Sequence, residues 1–292
     1  MKDLLMTMPY PPAPAAQPPA VTSAARTTIR VALVLAATLL LLGTVGGLTA
    51  AAVGIGNTRM IADSQPLPAT MRTLAIDTGD LPMAVRLTTD PDVTQPRVDL
   101  RFLSAGGAGG GLDIATGTDV RVRVSGRDPG WLSWGGGVLT VVLPPDLARR
   151  LSVSTTQQDG VLMADADLDR LVAHVTDGGV LLRGSARAIE IHTQDGGIHT
   201  RTPIAVRESF AANSIDGDVT VDFDSAPRTI SVRTGDGDVR LDVPGPGPFA
   251  VNAASGSGDT VVRVPQAADP AAAVAVITAR TDSGDLTISR RD

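Results

Sequence analysis

The feature that most constrains this chain is a repeat of about 20 residues that fills its C-terminal half. Aligned on their turns, LSVSTTQQDGVLMAD, LVAHVTDGGVLLRGS, IEIHTQDGGIHTRTP, SFAANSIDGDVTVDF, ISVRTGDGDVRLDVP, VNAASGSGDTVVRVP and ITARTDSGDLTISRR fall into register between Leu151 and Arg291. Their anchors are Asp159, Asp177, Asp195, Asp216, Asp236, Ser257 and Ser283, spaced 18, 18, 21, 20, 21 and 26. A period of this length marks stacked supersecondary units, none of which buries its apolar face alone.

Each copy alternates as strands do. Six residues before the anchor stand Val153, Leu171, Ile189, Phe210, Ile230, Val251 and Ile277, and apolar residues such as Val219 with Val221 and Val239 with Leu241 follow it. Polar residues lie between them, as a period of two requires. The turns pair Asp159 with Gly160, Asp177 with Gly178, Asp195 with Gly196, Asp216 with Gly217 and Asp236 with Gly237, and place Gly258 and Gly284 after serines. Glycine supplies the backbone freedom of the bend, and Asp or Ser can bond the turn backbone. Two architectures fit, an antiparallel meander of hairpins and a β-solenoid with one coil per copy. Turns recurring at matched positions favour the solenoid. A thin core of small aliphatic residues also suits a chain with only seven aromatics.

Residues 70 to 145 read as strands too, in LAIDTGDL, VDLRFL, DVRVRV and VLTVVLPP, at irregular spacing and with a loop at Gly106 to Gly111. They are expected to form atypical first coils on the same stack. One all-β domain is therefore expected over 69–292, with regular repeats from 151 and a linker at 57–68.

The stretch LTVVLPPDLARRLSVSTTQQDGVL, with TDGGVLL, TQDGGI, SIDGDVTVDF, RTGDGDVRLDVP and TDSGDLTISR after it, resembles a family of bacterial extracytoplasmic domains named putative adhesins. That family shows a strand ending in Leu-Pro followed by T-x-S/D-G-D-V segments. The first repeats depart from it, with Gly-Gly at 178–179 and 196–197. The resemblance implies an envelope or surface role and no catalytic motif.

The N-terminal part has a different chemistry. Between Arg30 and Arg59 no residue is charged, and Val31 to Gly56 is strongly apolar. At about 1.5 Å per residue such a run exceeds a hydrocarbon core of roughly 30 Å. A retained transmembrane helix over 29–56 is expected rather than a cleaved signal peptide, whose apolar region is about 7–15 residues. Lys2, Arg26 and Arg30 precede it, which places the N-terminus in the cytoplasm. The proline-rich tail 1–28 is too poor in large apolar residues to fold. Gly43, Gly47 and Ala51 give the helix a small face through which a homodimer could form.

Beyond residue 59 the chain holds 21 basic and 30 acidic side chains. That balance argues against nucleic acid as a partner. The chain has no cysteine, and Lys2 is its one lysine. Disulfides, thiolate chemistry, Schiff-base catalysis and Walker-type phosphate loops are thereby excluded.

Two columns of side chains remain as candidates. The acidic one holds Asp216 with Asp218, Asp236 with Asp238, Asp259, and Asp282 with Asp285. It reads as turn capping or as calcium ligation. The other holds all three histidines, His174, His192 and His199, expected to share a patch able to hold zinc or a similar ion. Trp131 and Trp134 are expected to pack the edge of the first coils rather than stack on sugars. The expected function is non-catalytic display of an acidic solenoid to an envelope protein or polymer. The alternatives are a sensory ectodomain signalling through its helix and a polysaccharide-acting enzyme.

Overall fold

The computed structural model describes residues 58–105, 111–125 and 137–291, most of them in strands. The expected tail, the apolar span with Gly43, Gly47 and Ala51, and both tryptophans lie outside these residues. Among the described residues no helix is long and apolar enough to cross a membrane.

The unit is clearest in β12 (Thr229–Asp236) and β13 (Val239–Val243). Ile230, Val232 and Thr234 point inward from the first strand; Val239, Leu241 and Val243 do so from the second. Gly237 makes the bend between them. Their neighbours repeat the pattern in register. β10 (Ile204–Asp216) and β16 (Ala275–Ser283) flank β12, while β11 (Val219–Ser225) and β17 (Leu286–Arg290) flank β13. All these pairings are parallel, with Phe210 beside Ile230 and Ile230 beside Ile277. A meander of hairpins would pair consecutive strands antiparallel. The fold is therefore the all-β solenoid.

Three earlier copies wind through one extended run, β8 (Ser152–Asp195), and end in the short β9 (Ile198–Thr200). The sixth copy is β14 (Phe249–Ser257) and β15 (Thr260–Arg263). Its position departs from a stack in chain order. β16 pairs with both β12 and β14, and β17 with both β13 and β15. The seventh copy is thus inserted between the fifth and the sixth, and the sixth forms the end of the stack.

The other end repeats this exchange. β2 (Thr73–Asp77) and β3 (Met83–Thr89) form a coil that lies directly against β8. β6 (Asp119–Ser125) and β7 (Gly137–Leu143), which come later in the chain, stack outside it in parallel. Antiparallel strands then close that end. β4 (Arg97–Ala105) adds to β7, β1 (Thr58–Pro66) to β4, and β5 (Gly111–Ala115) to β6. The expected linker at 57–68 is therefore corrected, because most of it is β1. Its alternation places Ile61 against the core. A four-residue helix, α1 (Pro145–Ala148), connects β7 to β8 and buries Leu147 and Ala148.

One continuous apolar core runs through the stack. All four phenylalanines are buried in it, and Phe210 meets Phe223 edge to face at 5.3 Å. The remainder is mainly Val, Ile, Leu and Ala, as expected for two strand faces lying close together.

Candidate functional site

The turns align into a ridge along one side of the solenoid. Asp195, Asp216, Asp236, Ser283 and Ser257 are register neighbours in that spatial order. The glycine after each anchor is dictated by its neighbour in the stack. At Gly178 φ is +145°, and a methyl group would overlap the carbonyl oxygen of Gly160. At Gly237 φ is +147°, and a methyl group would collide with the carbonyl of Gly217. No other residue fits such a close approach of backbones.

The rest of the repeated motif is explained by two hydrogen-bond ladders. Two residues before the anchor, a hydroxyl, buried in all but the terminal coil, donates to the glycine carbonyl of the adjacent coil. The pairs are Ser214 to Gly196 at 3.4 Å, Thr234 to Gly217 at 3.0 Å, Thr281 to Gly237 at 2.9 Å and Ser255 to Gly284 at 2.8 Å. Gln157 fills this place in the first regular copy, its side-chain amide donating to the Met83 carbonyl at 3.2 Å. Two residues after the anchor, each Asp carboxylate accepts the backbone N–H of its counterpart in the next coil. Asp218 receives Asp238, Asp238 receives Asp285, and Asp285 receives Asp259, at 2.8, 2.7 and 2.9 Å. Within the acidic column, Asp218, Asp238 and Asp285 therefore each hold the turn of the next coil.

Charge is still costly along the ridge. The Asp216 carboxyl is pushed up from its ordinary value, first by burial and then by Asp195, Asp236 and Asp218 around it. Among the described residues, no three His, Cys, Asp or Glu side chains gather where they could hold a metal ion.

The histidines do not form the expected trio. His174 and His192 stack face to face, with centroids 4.9 Å apart and planes 14° from parallel. His192 Nε2 lies 3.1 Å from Glu190 Oε1, and the other Glu190 oxygen accepts from Arg170 at 2.6 Å. The His192 contact, helped by Arg170, holds the Glu190 carboxyl below its usual range against the opposing effect of burial. His199 belongs to a different column, between Leu181 and Thr220. Its ring lies over Gly197, where any Cβ would approach Nε2 to 2.5 Å. Burial lowers the His199 pKa, and the nearby Asp218 opposes that shift. The ring thus takes the space that an Asp side chain at 197 would fill, which accounts for Gly-Gly in this repeat.

The outer column continues from His192 through Asn213 to Arg233 and Arg280. Arg187 bridges two coils, with both Asp169 oxygens at 2.9 Å and Glu208 at 2.8 Å. Sequence reading missed one concavity, a groove of about 730 Å³ near the C-terminal end lined by Asp222, Arg240, Asp242, Arg263, Arg290 and Arg291 among others. Asp222, Asp242, Ser289 and Arg263 are register neighbours there. Arg291 pairs with Asp224 at 3.1 Å and Arg240 with Asp242 at 3.0 Å. Only alignment of the strand after the anchor, copy against copy, would have revealed it.

Residues 146–289 match the family described as Toastrack DUF4097. Over these residues the chain is similar to Toastrack domains. Similar solved structures include a putative adhesin from Parabacteroides distasonis, at 9% identity over 80% of this chain and 97% of that one, with a TM-score of 0.43. Another, from Bacteroides fragilis, has 13% identity over 80% and 97%, with a TM-score of 0.37. A putative cell adhesion protein from Clostridium sporogenes shares 7% identity over 80% and 100%, at 0.31. No curated protein matches the chain in sequence.

Proposed function

We propose that this protein is a single-span envelope protein that displays its solenoid outside the cell as a non-catalytic contact surface. Residues 1–28 form the cytoplasmic tail and 29–56 the anchor in this reading. The observation that carries it is the place of β1. This strand begins two residues after the apolar run ends at Gly56 and is built into the closed end of the stack. The anchor therefore joins the domain without a flexible spacer, and the stack extends away from it. The surface offered to an envelope protein or polymer consists of fixed columns, repeated about every 4.8 Å. Arg233 with Arg280 and the groove lined by Arg240, Arg263, Arg290 and Arg291 are cationic features of a domain that is acidic overall.

Because the chain lacks cysteine, topology can be read with single introduced thiols. Thr260→Cys should react with a membrane-impermeant maleimide on intact cells, and Thr22→Cys only after permeabilisation. The reverse pattern, or release of the labelled chain into the medium, refutes the proposal.

A further inference from the structure

The two ends of the solenoid are finished differently. At the end nearest the N-terminus, β1, β4 and β5 close the stack with antiparallel pairings, and the outlying β1 and β5 carry Asp63, Pro66 and Asp113. Charges and proline are the usual means of blocking an edge. At the opposite end β14 carries no charge or proline, and β15 carries one charge, Arg263. β14 and β15 each pair on one side only. Among the described residues the outer side of β14 meets only Pro265 to Ala267, at its Phe249 end.

The core is open at the same place. Val251, Ala253 and Val262 are only partly buried, whereas their inner counterparts Ile277, Ala279 and Ile288 are fully buried. Both ladders also stop there. Among the described residues the Gly258 carbonyl receives no hydroxyl and the Asp259 carboxylate no amide, although every inner equivalent from Asp218 onward is filled. From Phe249 to Gly258 no residue is charged. Solenoids ordinarily end in a polar cap.

We propose that this terminal coil docks against the same coil of a second copy of the chain, the two solenoids meeting end to end about a two-fold axis. β14 then pairs antiparallel with β14 of its mate, and the two open core ends cover each other. An uncharged edge pairs with itself without like-charge contact. The antiparallel arrangement also carries the two Asp259 carboxylates to opposite ends of the paired strands. The residues outside the structure before β1 favour a second copy over an internal cover, because they enter at the other end of the stack. The inference rests on the display reading in one respect: with the anchor at β1, the docking end is the distal one. A two-fold pair then joins chains held in facing membranes.

The test uses the full chain in detergent micelles and in proteoliposomes. Ala254→Cys should form a disulfide-linked dimer under mild oxidation, whereas Thr287→Cys, on the lateral face of an inner coil, should not. Particle mass should be about twice that of one chain. The double change Asn252→Lys with Ala254→Lys should return it to monomer with the circular dichroism of the parent. Because both side chains are outside the core, a folded monomer is the expected product. Crosslinking of Ala254→Cys in the membrane gives a second readout that needs no lysine variant. A monomeric parent without the Ala254→Cys crosslink overturns the proposal, as does a dimer that the lysines leave intact. A monomer whose β14 amides are protected only in whole envelopes assigns the edge to a foreign strand, and also overturns it. Dimers that form in micelles but do not cluster proteoliposomes would leave the docking in place and refute the display reading.

Discussion

Inserting the seventh copy between the fifth and the sixth makes a prediction that chain-order stacking reverses. Ile288 is fully buried in the inserted coil, with Leu241 on one side and Val262 on the other. Val262 occupies the equivalent inward position in the terminal coil and is only partly buried. Truncating a fully buried Ile to Ala costs about 2–5 kcal/mol, because transfer and cavity terms add. Val262→Ala removes two carbons at about 0.8 kcal/mol each if fully buried, so at half burial it should cost about 0.8 kcal/mol. The two variants should therefore differ by about 2 kcal/mol. At a urea dependence of about 1–3 kcal/mol per molar, the midpoints should be separated by on the order of 1 M. In the monomer, obtained with Asn252→Lys and Ala254→Lys, hydrogen exchange should rank the coils in the same way, with amides of 275–290 slow and those of 251–257 fast. If Val262→Ala proves equal to or costlier than Ile288→Ala, or if 251–257 exchanges more slowly than 275–290, the inserted order is wrong.

The remaining predictions concern the ridge and its flanks. Gly79→Ala, at φ +57° with no atom within 4 Å, should lose about 1–2 kcal/mol, the conformational cost alone; Gly178→Ala adds overlap on Gly160 to a left-handed φ and should lose well over about 2 kcal/mol. Thermal midpoints of the two variants check this order. The Asp216 pKa is raised in the fold, so the native state holds its proton more tightly and stability falls as pH rises through the usual carboxylate range. Asp216→Asn should therefore raise the denaturation midpoint at neutral pH and flatten its dependence across that range. Asp169 is shifted the other way, chiefly by its hydrogen bonds to Arg187, so its stabilising effect is present above the carboxylate range and lost as pH falls through it. Arg187→Ala should then reduce stability at neutral pH and make little difference in acid. NMR titration should find His199 protonating below about 6.5, and Asp218→Asn should move it lower still, because Asp218 favours the charged ring.

What could be read from the sequence was whatever each coil imposes on its neighbour. The glycine after each anchor is forced by the carbonyl stacked on it, and the hydroxyl and the second Asp are held by the two ladders, so these residues recur in the chain at a fixed offset. The order of the coils leaves no such trace. Every coil presents the same ladder, so the sixth and the seventh can each stack on the fifth with the same hydrogen bonds. The choice is made by the connection. Ser283 follows Ser257 by 26 residues where the other anchors lie 18 to 21 apart, and the added length lets the chain return from the terminal coil to the inner position where β16 begins. The same limit applies to the histidines. His192 and His199 flank one turn, but a turn separates two strand faces, and adjacency along the chain across it does not place side chains in one column. Gly197 was the available sign, since the loss of the Asp side chain found there in later copies makes room for the His199 ring. The closed end was the least legible. Its strands pair antiparallel and carry no repeated turn, and β1 follows so closely on an apolar run that its own alternation around Ile61 is easily taken for a linker.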